Sequence, residues 1–234
     1  MNIIGKLIRK IYHNRETNER LRERDFLRNL NLSSKTVYDI GSSEGSLTLL
    51  FAEAVKPSGR VVAFEPNPDV FTRLKKRIEE NNLSNVLTCN IGIGERNERK
   101  KLIVRLYDTG TGSMEKYIQK QIIGEGSYKE YEIEVYQLDN YLDYFNLPTP
   151  DFIKIDVEGM EYECLLGMEG IIKRYKPMLF VEIHGSDLNR KMRNVKKIVN
   201  FLDQRGYSLY HFESKRKISP ETAVIAKEGH IFCR

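Results

Sequence analysis

The sequence predicts a doubly wound α/β domain on a mostly parallel seven-stranded sheet, with an inserted β-hairpin or lid and an N-terminal helical extension. Three observations lead there. From Lys35 onward, short β-rich runs alternate with helical apolar periodicities, the pattern of a parallel sheet covered on both faces. The final apolar run is reached without a long crossover, which makes that strand antiparallel to its neighbours. The chain has 234 residues and 40% hydrophobic content, enough for one full core.

The elements follow in order. Thr36–Ile40 is the first strand, followed by a Gly/Ser turn and a helix over Ser46–Val55. Pro57-Ser-Gly59 ends that helix, and Arg60–Glu65 is the second strand. Pro68 suits a first helical position, and Val70, Phe71, Leu74 and Ile78 make one apolar face. Val86–Ile91 is the third strand. Residues 92–136 then interrupt the pattern: Lys101–Tyr107 and Lys129–Tyr136 read as hairpin strands around a loop at 108–128. The core pattern resumes with strands at Asp151–Asp156, Pro177–Ile183, Tyr207–Phe212 and His230–Cys233, with a short helix expected over 220–226. The predicted division is an extension over 1–34 and one domain over 35–234.

Charge is unevenly placed around a net of +5. Residues 1–30 carry eight bases and four acids; residues 132–169 carry ten acids and Lys154; residues 190–217 carry nine bases and two acids. An acidic centre disfavours a site that grips a phosphate backbone. No apolar run is long enough to span a bilayer, and the basic N-terminus lacks a signal-peptide h-region. Cys89, Cys164 and Cys233 form no metal-ligand or redox pattern, so free thiols and a cytoplasmic location are expected. Ile4, Leu7, Ile8 and Ile11 form a stripe beside Lys6, Arg9 and Lys10. This stripe suits peripheral membrane contact through residues 1–14, or packing against the domain.

Chemistry-bearing residues gather at predicted strand ends, where open α/β sheets bind ligands. The turn Asp39-Ile-Gly-Ser-Ser-Glu-Gly45 opens a helix, and Gly41 and Gly45 permit close backbone approach. Its spacing is not G-x-G-x-x-G, which excludes the dinucleotide fingerprint. Asp39 would oppose a pyrophosphate but could accept from an ammonium group; alternatively, Asp39 and Ser42 only stabilise the turn. Glu65 ends the second strand, where an acid can accept from both ribose hydroxyls of a nucleoside. Asn90 can bond an adenine edge, and Ile91 can pack on its face. Asp156 and Glu158 follow the fourth strand, and His184 follows the fifth, with a pKa suited to proton transfer or, equally, a capping role. Glu161 is expected in a first helical turn, where an acid favours the helix dipole. A divalent cation bridging Asp156 and Glu158 is conceivable, but the sequence shows no complete metal-ligand set, so no metal ligand is assigned. Seven of the thirteen tyrosines lie between Tyr107 and Tyr144, suiting either a sugar or aromatic acceptor or ordinary hairpin packing.

Together, VYDIGSSEGSLTLLFA, VVAFEPNP, LDNY at 138–141, DFIKIDVEGMEYECLLG and LFVEIH resemble the FkbM-type methyltransferases, over roughly Val37 to Cys233. The resemblance implies a class I fold with strand order 3-2-1-4-5-7-6 and S-adenosylmethionine as cofactor. It also implies transfer to a hydroxyl of a sugar, glycan or small natural product. Asp39, Gly41, Ser42, Ser43, Gly45, Glu65, Asn67, Asn90 and Ile91 are the expected cofactor-binding residues, and Asp156, Glu158 and His184 the expected catalytic ones. Ser43 stands where the glycine-rich loop of the family commonly has glycine. Asp156 is the first candidate base and His184 the second, with Glu158 orienting the acceptor. Two other readings are an RNA 2′-O-methyltransferase, which would want a basic groove and a rim lysine after the fifth strand, and a non-catalytic S-adenosylmethionine- or nucleotide-binding module.

Overall fold

The computed structural model describes residues 18–107 and 112–234. The apolar stripe at 4–11 and its membrane reading lie outside the described residues. Among those described, no helix is long and apolar enough to cross a membrane.

A helix over 18–28 (α1) precedes β1 (Thr36–Ile40), α2 (Ser46–Val55), β2 (Arg60–Phe64), α3 (Pro68–Glu80) and β3 (Val86–Cys89). An inserted region supplies β4 (Gly92–Ile93), β5 (Glu98–Arg105), β6 (Gly112–Ser113), α4 (Lys116–Gly124) and β7 (Tyr128–Tyr136). The main fold continues with α5 (Leu138–Tyr144), β8 (Phe152–Ile155), α6 (Glu161–Leu166), α7 (Glu169–Tyr175) and β9 (Met178–Glu182). It closes with α8 (Leu188–Asp203), β10 (Leu209–His211), β11 (Arg216–Ile218), a 3-10 turn at Ala223–Ala226 and β12 (His230–Cys233).

The main sheet runs β11-β10-β12-β9-β8-β1-β2-β3. Without β11 this is the expected 3-2-1-4-5-7-6 order, and β12 is antiparallel to both β9 and β10. The sheet has eight strands, not seven. The extra strand arises because the chain folds back after β10 through Lys215, which adopts φ +57°, and pairs antiparallel at the edge. Periodicity could not reveal so short a hairpin.

The central strands are buried on both faces. Val37, Val61, Phe152 and Phe180 pack against α1 and α2, whereas Tyr38, Val62, Ile153 and Leu179 pack toward α6, α7 and α8. The period of two thus assigns each strand residue to one of two cores. Leu27 of α1 is fully buried, and the Phe26 ring contacts Phe180, Phe212 and Phe232.

The insertion is a second, four-stranded sheet, ordered β4-β7-β5-β6, and not a lone hairpin. The expected loop at 108–128 contains α4. Glu115 caps that helix by accepting from the Tyr117 and Ile118 amides, and Ile118 and Ile122 bury one face at i, i+4 spacing. The signal was present, but nine residues are too few for a strong period. This sheet packs on the loop after β8: Met160 joins Leu102, Val104, Met114, Ile133 and Val135 in one apolar cluster. Tyr131 and Tyr136 serve packing here, Tyr131 against that cluster with its hydroxyl on Asp69, and Tyr136 against the Tyr141 ring. All three cysteines are free thiols, Cys164 and Cys233 fully buried.

Candidate active site

A cleft opens at the carboxyl edge of β1, β2 and β8. Ile40, Gly41, Ser43, Glu65 and Asn67 form one side, and Ile91 and Ile93 add apolar surface. Leu102, Gly112 and Met114 of the inserted sheet form the outer wall, and Asp156 and Glu158 the remaining end.

The turn after β1 is pinned by backbone. The amides of Gly41 and Ser42 both donate to the Phe64 carbonyl, and the Ser42 hydroxyl reaches the same oxygen at 3.3 Å. Gly41 has φ +79°, and a Cβ there would stand 1.7 Å from the Asp156 carbonyl oxygen. Only glycine lets β1 and β8 approach this closely at the rim. Ser43, at φ +48°, turns its amide toward Glu65. Gly45, at φ +82°, starts α2.

Glu65 is buried at the cleft wall. One carboxylate oxygen accepts from the Ser43 amide at 2.9 Å and the other from the Asn67 amide at 2.8 Å. Burial pushes its pKa up to about 7, against the lowering effect of those two amides; the charges of Asp156 and Asp39 add to the rise. Each oxygen keeps a further acceptor site facing the cleft side.

Of the other expected ligand contacts, Asp39 is buried behind this wall, Asn67 lines the cleft and Asn90 is exposed. Asp39 is fully buried beneath the turn, with one oxygen accepting from the Thr48 hydroxyl at 2.6 Å and the other without a hydrogen bond. Burial raises its pKa, with Lys154 opposing. Asn67 lines the cleft, but its side-chain oxygen caps α3 through the Asp69 and Val70 amides. The Asn90 amide group donates to the Glu65 and Pro66 carbonyls, holding the end of β2 in place.

The opposite end of the cleft collects charge from three elements. Asp156, just past β8, accepts from the Lys154 ammonium at 2.9 Å. Lys154 is buried and neighbours Asp39 in register. Burial works against its charge, but Asp156, Asp39 and Glu182 hold its pKa above the ordinary lysine value. Glu158 adopts φ +50°, and its carbonyl accepts from the buried Ser113 hydroxyl at 2.6 Å, so the inserted sheet fixes this loop. Burial raises the Glu158 carboxyl to about 7, His184 opposing.

His184 completes the group from the end of β9. Its Nε2 lies 3.8 Å from Asp156, 4.0 Å from Glu158 and 3.5 Å from Glu182. Its Nδ1 is 3.1 Å from Glu161. Burial opposes a charge on the ring, yet Glu161, Glu182 and Asp156 raise its pKa well above the usual value.

Glu161 is the first residue of α6, where the helix dipole favours an acid as expected, and it also takes a buried role. It is wholly buried, and accepts from the Gly159 amide at 2.9 Å and the Asn194 side chain at 2.7 Å as well as facing His184. Sequence spacing could not show that α8 brings Asn194 over it. A further layer was also invisible in the sequence: His230 on β12 lies 3.5 Å from Glu182, 2.7 Å from Glu213 and 3.7 Å from Glu23 on α1.

Comparison with known proteins identifies a family and a fold. Residues 39–209 match the Methyltransferase FkbM domain family. Methyltransferase 1 of Beauveria bassiana is 27% identical over 147 residues, covering 57% of this chain and 58% of that protein. The hexuronic acid methyltransferase AglP of Haloferax volcanii is 27% identical over 153 residues, covering 63% and 55%. The chain thus spans little more than half the length of these curated relatives. An FkbM methyltransferase structure from Methylobacillus flagellatus superposes with TM-score 0.53 at 21% identity, over 88% of this chain and 44% of that one. Fibrillarin of Aeropyrum pernix, solved with natively bound S-adenosylmethionine, has TM-score 0.50 at 10% identity, over 87% and 68%, a likeness of fold.

Proposed function

The chain belongs to the FkbM methyltransferase domain family, a family of S-adenosylmethionine-dependent methyltransferases, and on that premise we propose that it methylates a hydroxyl oxygen of a sugar, glycan or small natural product. The observation that carries the reading is the convergence of Asp156, Glu158 and His184 at one end of a cleft whose other side presents Glu65.

The cleft fits the cofactor. Glu65 has acceptor capacity left for two ribose hydroxyls, Ile91 and Ile93 offer an apolar wall for a base, and Gly41 removes the side chain that would fill the turn. Ser43 and Asn67 belong to the binding side, Asp39, Ser42 and Gly45 shape the turn beneath it, and Asn90, exposed beside Glu65, is assigned to an adenine edge. S-adenosylmethionine supplies a methyl group already activated on a positive sulfur. The chain's task is to hold the acceptor oxygen in line and raise its electron density.

Asp156 is the group placed for that task. Lys154 holds one carboxylate oxygen, leaving the other toward His184 and the cleft. The hydroxyl proton would pass to that free oxygen as the oxygen–methyl bond forms, and Lys154 keeps the carboxylate from swinging away. The inserted sheet supplies one wall of the cleft. The acids around His184 disfavour an RNA backbone, which supports a sugar or small-molecule acceptor over the 2′-O reading. The hexuronic acid methyltransferase among the relatives points the same way. Incubation with labelled S-adenosylmethionine and a panel of glycans and small hydroxyl acceptors, read by mass spectrometry, tests this. A label appearing only in RNA, or in no acceptor while the cofactor product binds, rejects the reading.

Cofactor affinity should depend on pH through Glu65. Its pKa near 7 in the ligand-free cleft means the ionised acceptor form is lost below that value. Ribose hydroxyls favour the carboxylate, so the affinity for S-adenosylhomocysteine should fall about tenfold from pH 8 to pH 6. Calorimetry at the two pH values measures it, with Glu65→Gln expected weaker and flat. An affinity that holds constant or improves in acid removes Glu65 as the ionised ribose acceptor.

A further inference from the structure

We propose that Asp156, Glu158 and His184 form a binding site for a divalent first-row metal ion at the acceptor end of the cleft. This deepens the reading of that end as the acceptor site and rests on it.

One ligand atom from each residue lies within 4.8 Å of the others. A cation held at ~2.1 Å separates its ligands by about 3 Å in cis and about 4.2 Å in trans. Small side-chain rotations therefore suffice to close the set. The three residues come from separate places: the β8 end, the following loop and the β9 end.

The imidazole gives the independent argument. Its Nδ1 is fixed by Glu161, a fully buried carboxylate that is itself held by the Gly159 amide and Asn194. A carboxylate on one ring nitrogen sets the tautomer and turns the other nitrogen outward as a ligand, the arrangement metal-binding histidines use. Here Nε2 makes no short hydrogen bond. It stands 3.5 to 4.0 Å from oxygens of Glu182, Asp156 and Glu158 around one common space. A histidine serving only as an ion-pair partner would be expected to close on one of them at about 2.8 Å. The remaining oxygen of Asp156 is held by Lys154, and the Glu158 loop by Ser113, so two ligands have positioned supports.

The donor set of one nitrogen and two carboxylate oxygens favours Mn²⁺-like first-row ions over purely oxygen-seeking Ca²⁺. Three protein ligands leave positions open for acceptor oxygens, as at catalytic metal sites. A bound cation would orient the acceptor and make its hydroxyl more acidic. With the cation bound, Asp156 would serve as its ligand in place of acting as the base, and the acidified hydroxyl would lose its proton to solvent water.

The test is MnCl₂ titrated into the full chain without cofactor or acceptor, followed by calorimetry and electron spin-echo spectroscopy. We expect one equivalent bound, with nitrogen modulation from a coordinated imidazole. His184→Ala should abolish the modulation and weaken binding at least tenfold, and Glu158→Gln should weaken it similarly. Folding of each variant is checked by its thermal melt; the wild-type spectrum decides alone if a variant fails to fold. No binding up to millimolar Mn²⁺, or binding without nitrogen modulation, overturns the site. The two readings fail separately: methyl transfer that persists in EDTA with no Mn²⁺ bound removes the metal and keeps the function. Mn²⁺ ligated by His184 with no acceptor methylated keeps the metal site and removes the function.

Discussion

Asp156→Asn should lower turnover by about 10²–10⁴-fold at saturating S-adenosylmethionine while leaving cofactor affinity nearly unchanged. The substitution keeps the shape and leaves an amide oxygen for Lys154, which donates to Asp156 at 2.9 Å. What it removes is the negative charge facing His184 and the acceptor. In the proposed reading, cofactor affinity rests on the other side of the cleft, at Glu65 and the turn after β1, and so should survive. Lys154 is buried and loses a charged partner, so some stability will be lost; Asp39 and Glu182 still face it. Steady-state kinetics with a verified acceptor, paired with calorimetry on S-adenosylhomocysteine, separates the two effects. Turnover close to wild type would show that Asp156 only pins Lys154 and the end of β8.

Gly41→Ala should destabilise the fold by about 4 kcal/mol or more, at the upper end of single substitutions. Two costs combine. The residue sits at φ +79°, where a Cβ is disfavoured, and that Cβ would meet the Asp156 carbonyl oxygen at 1.7 Å. The obstacle is backbone of the adjacent central strand, so relief requires moving β1 from β8 at the site itself. Cofactor binding should be lost along with stability. Gly126→Ala is the matched control: φ is +88°, but nothing lies within 4 Å of its Cβ. It should cost only about 1–2 kcal/mol. Urea denaturation of both variants measures the difference, and equal midpoints would mean that the close approach at Gly41 carries no energetic weight.

The seven expected strands were legible because each is a local run, and a buried parallel strand needs apolar side chains on both faces. Phe152–Ile155 and Met178–Glu182 announce themselves that way. The turn after β1 was legible for a different reason: glycines at 41 and 45 are demanded by backbone geometry within a few residues. Glu65 belonged to the same class, since the end of a strand is a position that sequence specifies.

Other features escaped because their cause is not local. The edge strand β11 exists only through its pairing with β10, three residues on each side. Helix α4 is short, and its apolar pair Ile118 and Ile122 gains meaning only against β5 and β6. Glu161 looked like an ordinary first-turn acid, because nothing near it in the chain shows that His184 and Asn194 will bury it.

By itself, the sequence determined seven of the eight strands of the main sheet, the order of its chemistry-bearing ends and the turn after β1, since these follow from periodicity and from glycines that the backbone requires. Tertiary structure alone decided which charges meet. It set His184 against Asp156, Glu158, Glu161 and Glu182, brought His230 and Glu23 behind Glu182, and made the insertion a wall of the cleft. The interactions among these side chains change steeply over a few ångströms, and separations that small between distant parts of the chain are created only when the sheet and its covering helices pack.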